Sequence, residues 1–320
     1  MKSYSLPPRT GNQYTICHKD YKATITQLGA ALRNFTWRNS DIVVPFEADE
    51  LPPCFNGQIL IPFPNRVDKA SYKFQNASYT LPIDERDRDT ALHGYGYRSY
   101  WQTLSVTQSS VSLLWRSPNM EGYPFDIVTI ATWELDDYGI HLTLNTTNHG
   151  NDDAPWAAAM HPWLCNGLQG HGDEIDQLNS KCKLKLPAKT HVRANERLIP
   201  VGTESVDGTR FDLRDNPFLV NQPFDDAWTD LIRDDDEWTT AIFTRADDLQ
   251  IAVKGDKSVT SFQVCTATGF PADKHPCGVA VEPQTAYANA FNTGTDLTVI
   301  APQETVVNQF RISPLIENMK

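Results

Sequence analysis

Two residues carry the most readable chemistry. In "AAAMHPWLCN" (157–166), His161 stands directly before a proline. Pro162 lacks a backbone donor and biases its predecessor toward extended geometry, so the imidazole is presented at a strand end rather than buried in a ladder. In "CGVAVEPQTAYANAFN" (277–292), Val279 and Val281 alternate toward one face and Glu282 toward the other, just before a chain-breaking proline. A histidine and a carboxylate could work as a general acid and a general base. They could equally be two unrelated strand-end residues, because sequence spacing alone does not bring them together.

Two more segments set ionisable groups among apolar or strand-forming neighbours, a costly placement unless the group is paired or used. In "ILIPFPNRVDKASYKF" (59–74) an apolar run ends in Pro-x-Pro and then Arg66. Its planar five-donor fork suits sugar hydroxyls or a carboxylate, and also a plain surface ion pair. In "TALHGYGYRSYW" (90–101), His93 precedes two glycines and the aromatics Tyr95, Tyr97, Tyr100 and Trp101. Those rings could floor a concave sugar site or pack as a buried corner around a hydrogen-bonded His93.

Other chemistries find little support. His161, His171 and His191 lack a zinc-type spacing, and there is no Walker loop, G-x-S-x-G elbow or dinucleotide fingerprint. No metal and no cofactor is expected. Forty Asp and Glu against 28 Lys and Arg give a net charge of -12, which disfavours phosphate backbones and anionic bilayers as partners. A neutral small molecule is the expected ligand.

The elements that must position these groups read as strands. "SVSLLW" (110–115) and "GIHLTLNTTN" (139–148) alternate with period two, and "TTAIFT" (239–244), "LQIAVKG" (249–255), "VTSFQVCT" (259–266) and "TVVNQFRI" (305–312) continue the pattern. Frequent turns such as "DDYG", "NGLQGHGDE" and "GFPADKHP" favour an antiparallel sandwich or barrel over βαβ units. The prediction is an all-β fold in a single domain over residues 1–320. Six scattered cysteines without a C-x-x-C pair read as reduced thiols. With no signal-like N-terminus and no run near the roughly 20 apolar residues of a membrane span, the protein is expected to be cytoplasmic.

Taken in order, "NRV", "LHGYGYRSYW", "EGYPFDIVTIATWEL", "TTNHGNDDAPWAAAMHPWL", "FDDAWTDL" and "GVAVEPQTAYANAFN" resemble landmarks of the aldose 1-epimerase (galactose mutarotase-like) family, from about residue 20 to about residue 312. The resemblance implies a large antiparallel β-sandwich with the reaction on a concave sheet face. It also implies His161 as general acid, Glu282 as general base, and His93 and Arg66 as substrate-binding groups. Asp225 of "FDDAW" matches the family's acceptor for a sugar hydroxyl, with Asp226 as the neighbouring register, and Gln284 and Trp163 complete the expected sugar-binding set. Two departures, "HGYG" where two glycines usually follow the histidine and "HPWL" where a tyrosine or phenylalanine usually follows His-Pro, reshape the pocket wall.

The implied reaction opens a hemiacetal. A base takes the anomeric hydroxyl proton while an acid protonates the ring oxygen; the open-chain aldehyde rotates and recloses with the roles reversed. That scheme expects an ionised Glu282 and a protonated His161. A hexose-6-phosphate 1-epimerase and a noncatalytic carbohydrate-binding protein remain alternatives on the same fold, working as a monomer or homodimer.

Overall fold

The computed structural model describes residues 6–168, 174–220, 223–271 and 274–315; His171 lies outside them. Two eight-stranded sheets dominate. The first runs, in spatial order, Gln102–Val106, Ser110–Ser117, Ile127–Asp136, Gly139–Asn148, Thr305–Leu315, Gln250–Gly255, Thr239–Thr244 and Lys183–Lys185. Its strands pair antiparallel, as the predicted segments require. Strand Gly139–Asn148 buries Ile140, Leu142 and Leu144 and leaves His141 and Thr143 partly exposed, the alternation expected of a half-buried strand.

The second sheet orders Pro200–Ser205, Ala188–Ala194, Asp225–Leu231, Ser261–Cys265, Gly278–Gln284, Ala159–Met160 and Ile59–Leu60, with Trp163–Cys165 also pairing to Gly278–Gln284. A four-stranded sheet starts at Gln13–His18. Val279 and Val281 join Phe262, Val264 and Trp228 in the main core, together with Trp133, Leu142 and Phe310 of the first sheet. Fully burying each large apolar side chain contributes about 1.5–3 kcal/mol. Strand alternation therefore commits one face of the second sheet to the core and leaves Asp225, Gln263, Cys265 and Glu282 on the other.

The fold is an all-β antiparallel sandwich, with short α-helices at Glu174–Asn179 and Ala290–Thr293. Among the described residues no helix is long and apolar enough to cross a membrane.

Candidate active site

Ladder register brings His161 to Glu282. Ala159 pairs with Gln284 and Trp163 with Ala280 across one strand, so position 161 falls opposite position 282. Pro162 sits between these two short ladders; its carbonyl accepts from the Val281 N–H at 3.3 Å, while its missing donor interrupts the pairing. His161 Nε2 lies 3.4 Å from Glu282 Oε1, and both side chains are buried. On the other flank of Glu282, strand Ser261–Cys265 sets Gln263 directly across. Gln263 Nε2–H in turn donates to Asp225 Oδ1 at 2.7 Å.

A two-stranded ribbon supplies the opposite wall. Strands Arg66–Asp68 and Thr90–Leu92 pair Arg66 with Leu92, and the residues just beyond the pair clasp each other. The His93 N–H donates to the Asn65 carbonyl at 2.9 Å, and the Asn65 N–H donates to His93 Nδ1 at 3.0 Å. Asn65 and His93 hold φ values of 56 and 60, a left-handed conformation that persists in non-glycine residues only where the surroundings over-determine it. Gly94 follows at φ 69, and a Cβ there would stand 2.3 Å from the Ile61 carbonyl oxygen, so only glycine fits.

Because Nδ1 accepts from the backbone, a neutral His93 carries its proton on Nε2. Burial holds this imidazole well below its ordinary range, with His161 and Arg66 pushing the same way. His93 is thus a neutral hydrogen-bond donor in the site.

Arg66 is fixed rather than free. Its Nε–H and Nη2–H donate to the two carboxylate oxygens of Glu85 at 2.7 and 3.1 Å, and its Nη1–H donates to Asn65 Oδ1 at 3.2 Å. Asn65 Nδ2–H donates to Gln263 Oε1 at 3.2 Å. A continuous chain of hydrogen bonds therefore runs from Glu85 through Arg66, Asn65 and Gln263 to Asp225. Burial alone would raise the Glu85 carboxyl, but the hydrogen bond and charge of Arg66 outweigh it and hold the group below its ordinary range. The pair therefore stabilises the fold above the carboxylate's usual range and loses that contribution as pH falls through the depressed value. Glu85→Gln should reduce stability by about 1–3 kcal/mol near neutral pH. Urea unfolding should reveal the loss, and the gap to wild type should close on acidification.

These groups line one cavity of about 260 Å³, just under the roughly 300 Å³ at which small-molecule sites typically begin. Phe55, Trp163, Cys54 and Cys265 form its less polar wall. Trp163 is fully buried and its Nε1–H donates to the Cys54 carbonyl at 3.0 Å, so it offers the cavity a flat apolar surface. Asp225 faces the cavity, whereas Asp226 turns away and accepts from His191 Nε2 at 2.9 Å. Gln284 does not line it; fully buried, its Nε2–H donates to Glu282 Oε2 at 3.2 Å.

The aromatics of 90–101 do not floor the cavity. The Tyr95 hydroxyl donates to the Glu121 carbonyl, Trp101 Nε1–H to the Gly96 carbonyl, and Tyr100 is exposed with its hydroxyl on the Arg9 carbonyl. Tyr97, on the one-turn helix Gly96–Arg98, packs edge-on against Phe55 with ring centroids 5.2 Å apart and does not line the cavity itself. Phe55 takes that place instead, edge-on to His93 with ring centroids 4.5 Å apart. Sequence reasoning also passed over Asn65, Gln263 and Glu85. Asn65 and Gln263 had a signal available, as polar residues beside Arg66 and on an otherwise apolar strand, while Glu85 sits in a charged turn that reads as a solvated loop.

The charge state of the central pair departs from expectation. Burial pushes the Glu282 carboxyl well above its ordinary range, with Asp225 adding to it and Gln284 and Arg66 opposing. Burial also lowers His161 to about 4, the ring's own backbone working weakly against it. Both displacements favour a carboxylic acid beside a neutral imidazole over an ion pair. The two arrangements hold the same single proton and differ only in which partner carries it. Among the described residues no three of His, Cys, Asp and Glu gather as a metal site requires.

Comparison with known proteins shows the family and the fold. The sequence profile of the family described as aldose 1-epimerase matches residues 12–313. The uncharacterized protein YihR of Escherichia coli (strain K12) is 27% identical over 292 residues, covering 91% of this chain and 89% of that protein. Among solved structures, a GalM/aldose epimerase homologue from C. elegans superposes with a TM-score of 0.81 at 18% identity, over 95% of this chain and 99% of that one. A galactose 1-epimerase from Lactobacillus acidophilus NCFM gives 0.77 at 16% identity, over 94% and 93%. At such identities the structures attest the fold, and the profile match over nearly the whole length attests the kinship: the chain belongs to the aldose 1-epimerase family.

Proposed function

We propose that this protein interconverts the α and β anomers of a free aldohexose, with Glu282 and His161 exchanging protons with the anomeric hydroxyl and the ring oxygen. The 3.4 Å approach of His161 Nε2 to Glu282 Oε1 on a cavity wall carries the reading. In a hemiacetal the two reacting oxygens share one carbon, so the acid and the base must stand side by side. Arg66, His93, Asp225 and Gln263 supply donors and acceptors around them for the remaining hydroxyls. Ring opening moves two protons and no electrons, so the scheme calls for no cofactor. We further read the whole chain as one cytoplasmic catalytic domain, with Trp163 shaping which aldose fits.

Polarimetry tests this directly. Freshly dissolved α-D-glucose or α-D-galactose should equilibrate faster in proportion to added protein. Calorimetric binding of these sugars without any change in equilibration would make the protein a carbohydrate binder, and acceleration confined to the 6-phosphates would move the substrate to phosphorylated hexoses.

A further inference from the structure

Gln284 is a buried polar side chain with no place on the cavity wall, and its position is energetically odd. It is fully closed from solvent, and its Oε1 has no hydrogen-bond partner among the described residues. A buried carbonyl left unpaired is destabilising, a penalty that a leucine or methionine at this position would avoid. The one hydrogen bond the side chain makes is to Glu282, two residues back on the same face of the strand.

That bond divides the labour of the carboxyl group. Glu282 Oε2 is held by Gln284 Nε2 at 3.2 Å, while Oε1 faces His161 Nε2 at 3.4 Å. An amide N–H can only donate, so the oxygen it engages must remain an acceptor whether the carboxyl is ionised or protonated. Turning the amide over would pair its carbonyl oxygen but would invite the proton onto Oε2, away from His161. The unpaired Gln284 oxygen is the expense of preventing this.

We propose that Gln284 is a positioning residue that confines the exchanging proton to Glu282 Oε1, the oxygen facing His161. It touches neither the sugar nor the reacting atoms; it acts through Glu282. Ambient burial opposes ionisation of Glu282, and the Gln284 donor is one of the groups that work against that tendency. The inference rests on the catalytic reading of Glu282 given above.

The test is Gln284→Met, which keeps the length and removes the donor, with Gln284→Leu as the second variant should the first not fold. Following α-D-glucose and α-D-galactose by polarimetry, kcat should fall about 10- to 100-fold, the effect typical of removing an outer partner that orients a working group. KM should stay within about twofold, because no sugar contact is lost. The acidic limb of the kcat profile should move to higher pH by about one unit, the size of one hydrogen bond to a charged group. Unchanged kcat with an unmoved acidic limb would overturn the proposal, as would a change confined to KM. Glu282→Gln measured alongside separates the two failures. If that variant stays active, the catalytic reading falls; if it is inactive while Gln284→Met matches wild type, only the role of Gln284 falls.

Discussion

Glu282→Gln should lower mutarotation about 10²- to 10⁴-fold, the usual contribution of a positioned acid or base, while making the protein harder to unfold near neutral pH. The two effects have one origin. Burial raises the folded-state value of this carboxyl, so the native protein binds the proton more tightly than the unfolded chain does. The stabilising contribution is then fully present below the unfolded value near 4.5 and is lost as pH rises through the folded value. An amide escapes that loss. Above the raised value the variant should exceed wild type by roughly 1–2 kcal/mol, the size of many stability gains made at the expense of activity. Below the carboxylate's ordinary range the two should unfold alike. Polarimetry and urea titrations at several pH values decide it: near-wild-type turnover would remove Glu282 from the mechanism, and a variant weaker than wild type at high pH would contradict the sign of the burial effect.

His161→Asn should cut kcat by a similar factor with a much smaller change in KM, since the imidazole handles a proton rather than anchoring a hydroxyl. Here the stability dependence runs the other way. Burial lowers the His161 imidazole to about 4, so its neutral form stabilises the fold above the ordinary value of 6.5 and that contribution fades as pH falls toward the depressed one. Asparagine does not titrate, so wild type should lose stability on acidification faster than the variant. Turnover unaffected by the substitution would transfer this proton-handling part to His93, whose ring centroid is 5.6 Å away. Held as a neutral donor by the Asn65 N–H, His93 is poorly prepared for that part.

Much of the sandwich is legible in the chain because period-two burial leaves its mark on composition. Strands Gly139–Asn148 and Thr239–Thr244 fall on the segments their alternation marks. The orientation of Glu282 is legible for the same reason, since Val279 and Val281 commit the opposite face to the core. Its meeting with His161 is not, because pairing across a sheet is set by register between distant strands, which spacing along the chain does not encode. Glu85 is hidden for a different reason. In "LPIDERDRDT" (81–90) every charge looks solvated, and only the fold reveals that this one is drawn inward to clamp Arg66. The aromatic cluster after His93 fails as a floor because Tyr95 and Trp101 are tied to backbone carbonyls and Tyr97 packs behind Phe55, partners that residue types do not disclose.

Two sulfurs share the cavity wall with the proton-handling pair. Burial pushes the Cys54 thiol up to about 11 and the Cys265 thiol well above its ordinary value. Only a thiolate is a competent nucleophile. In the proposed reaction each turnover briefly exposes a carbonyl carbon inside this chamber, and an ionised sulfur beside it would capture that carbon as a hemithioacetal. By keeping both sulfurs protonated, the same dry surroundings that tune Glu282 and His161 also leave the opened sugar unclaimed, free to turn and close again.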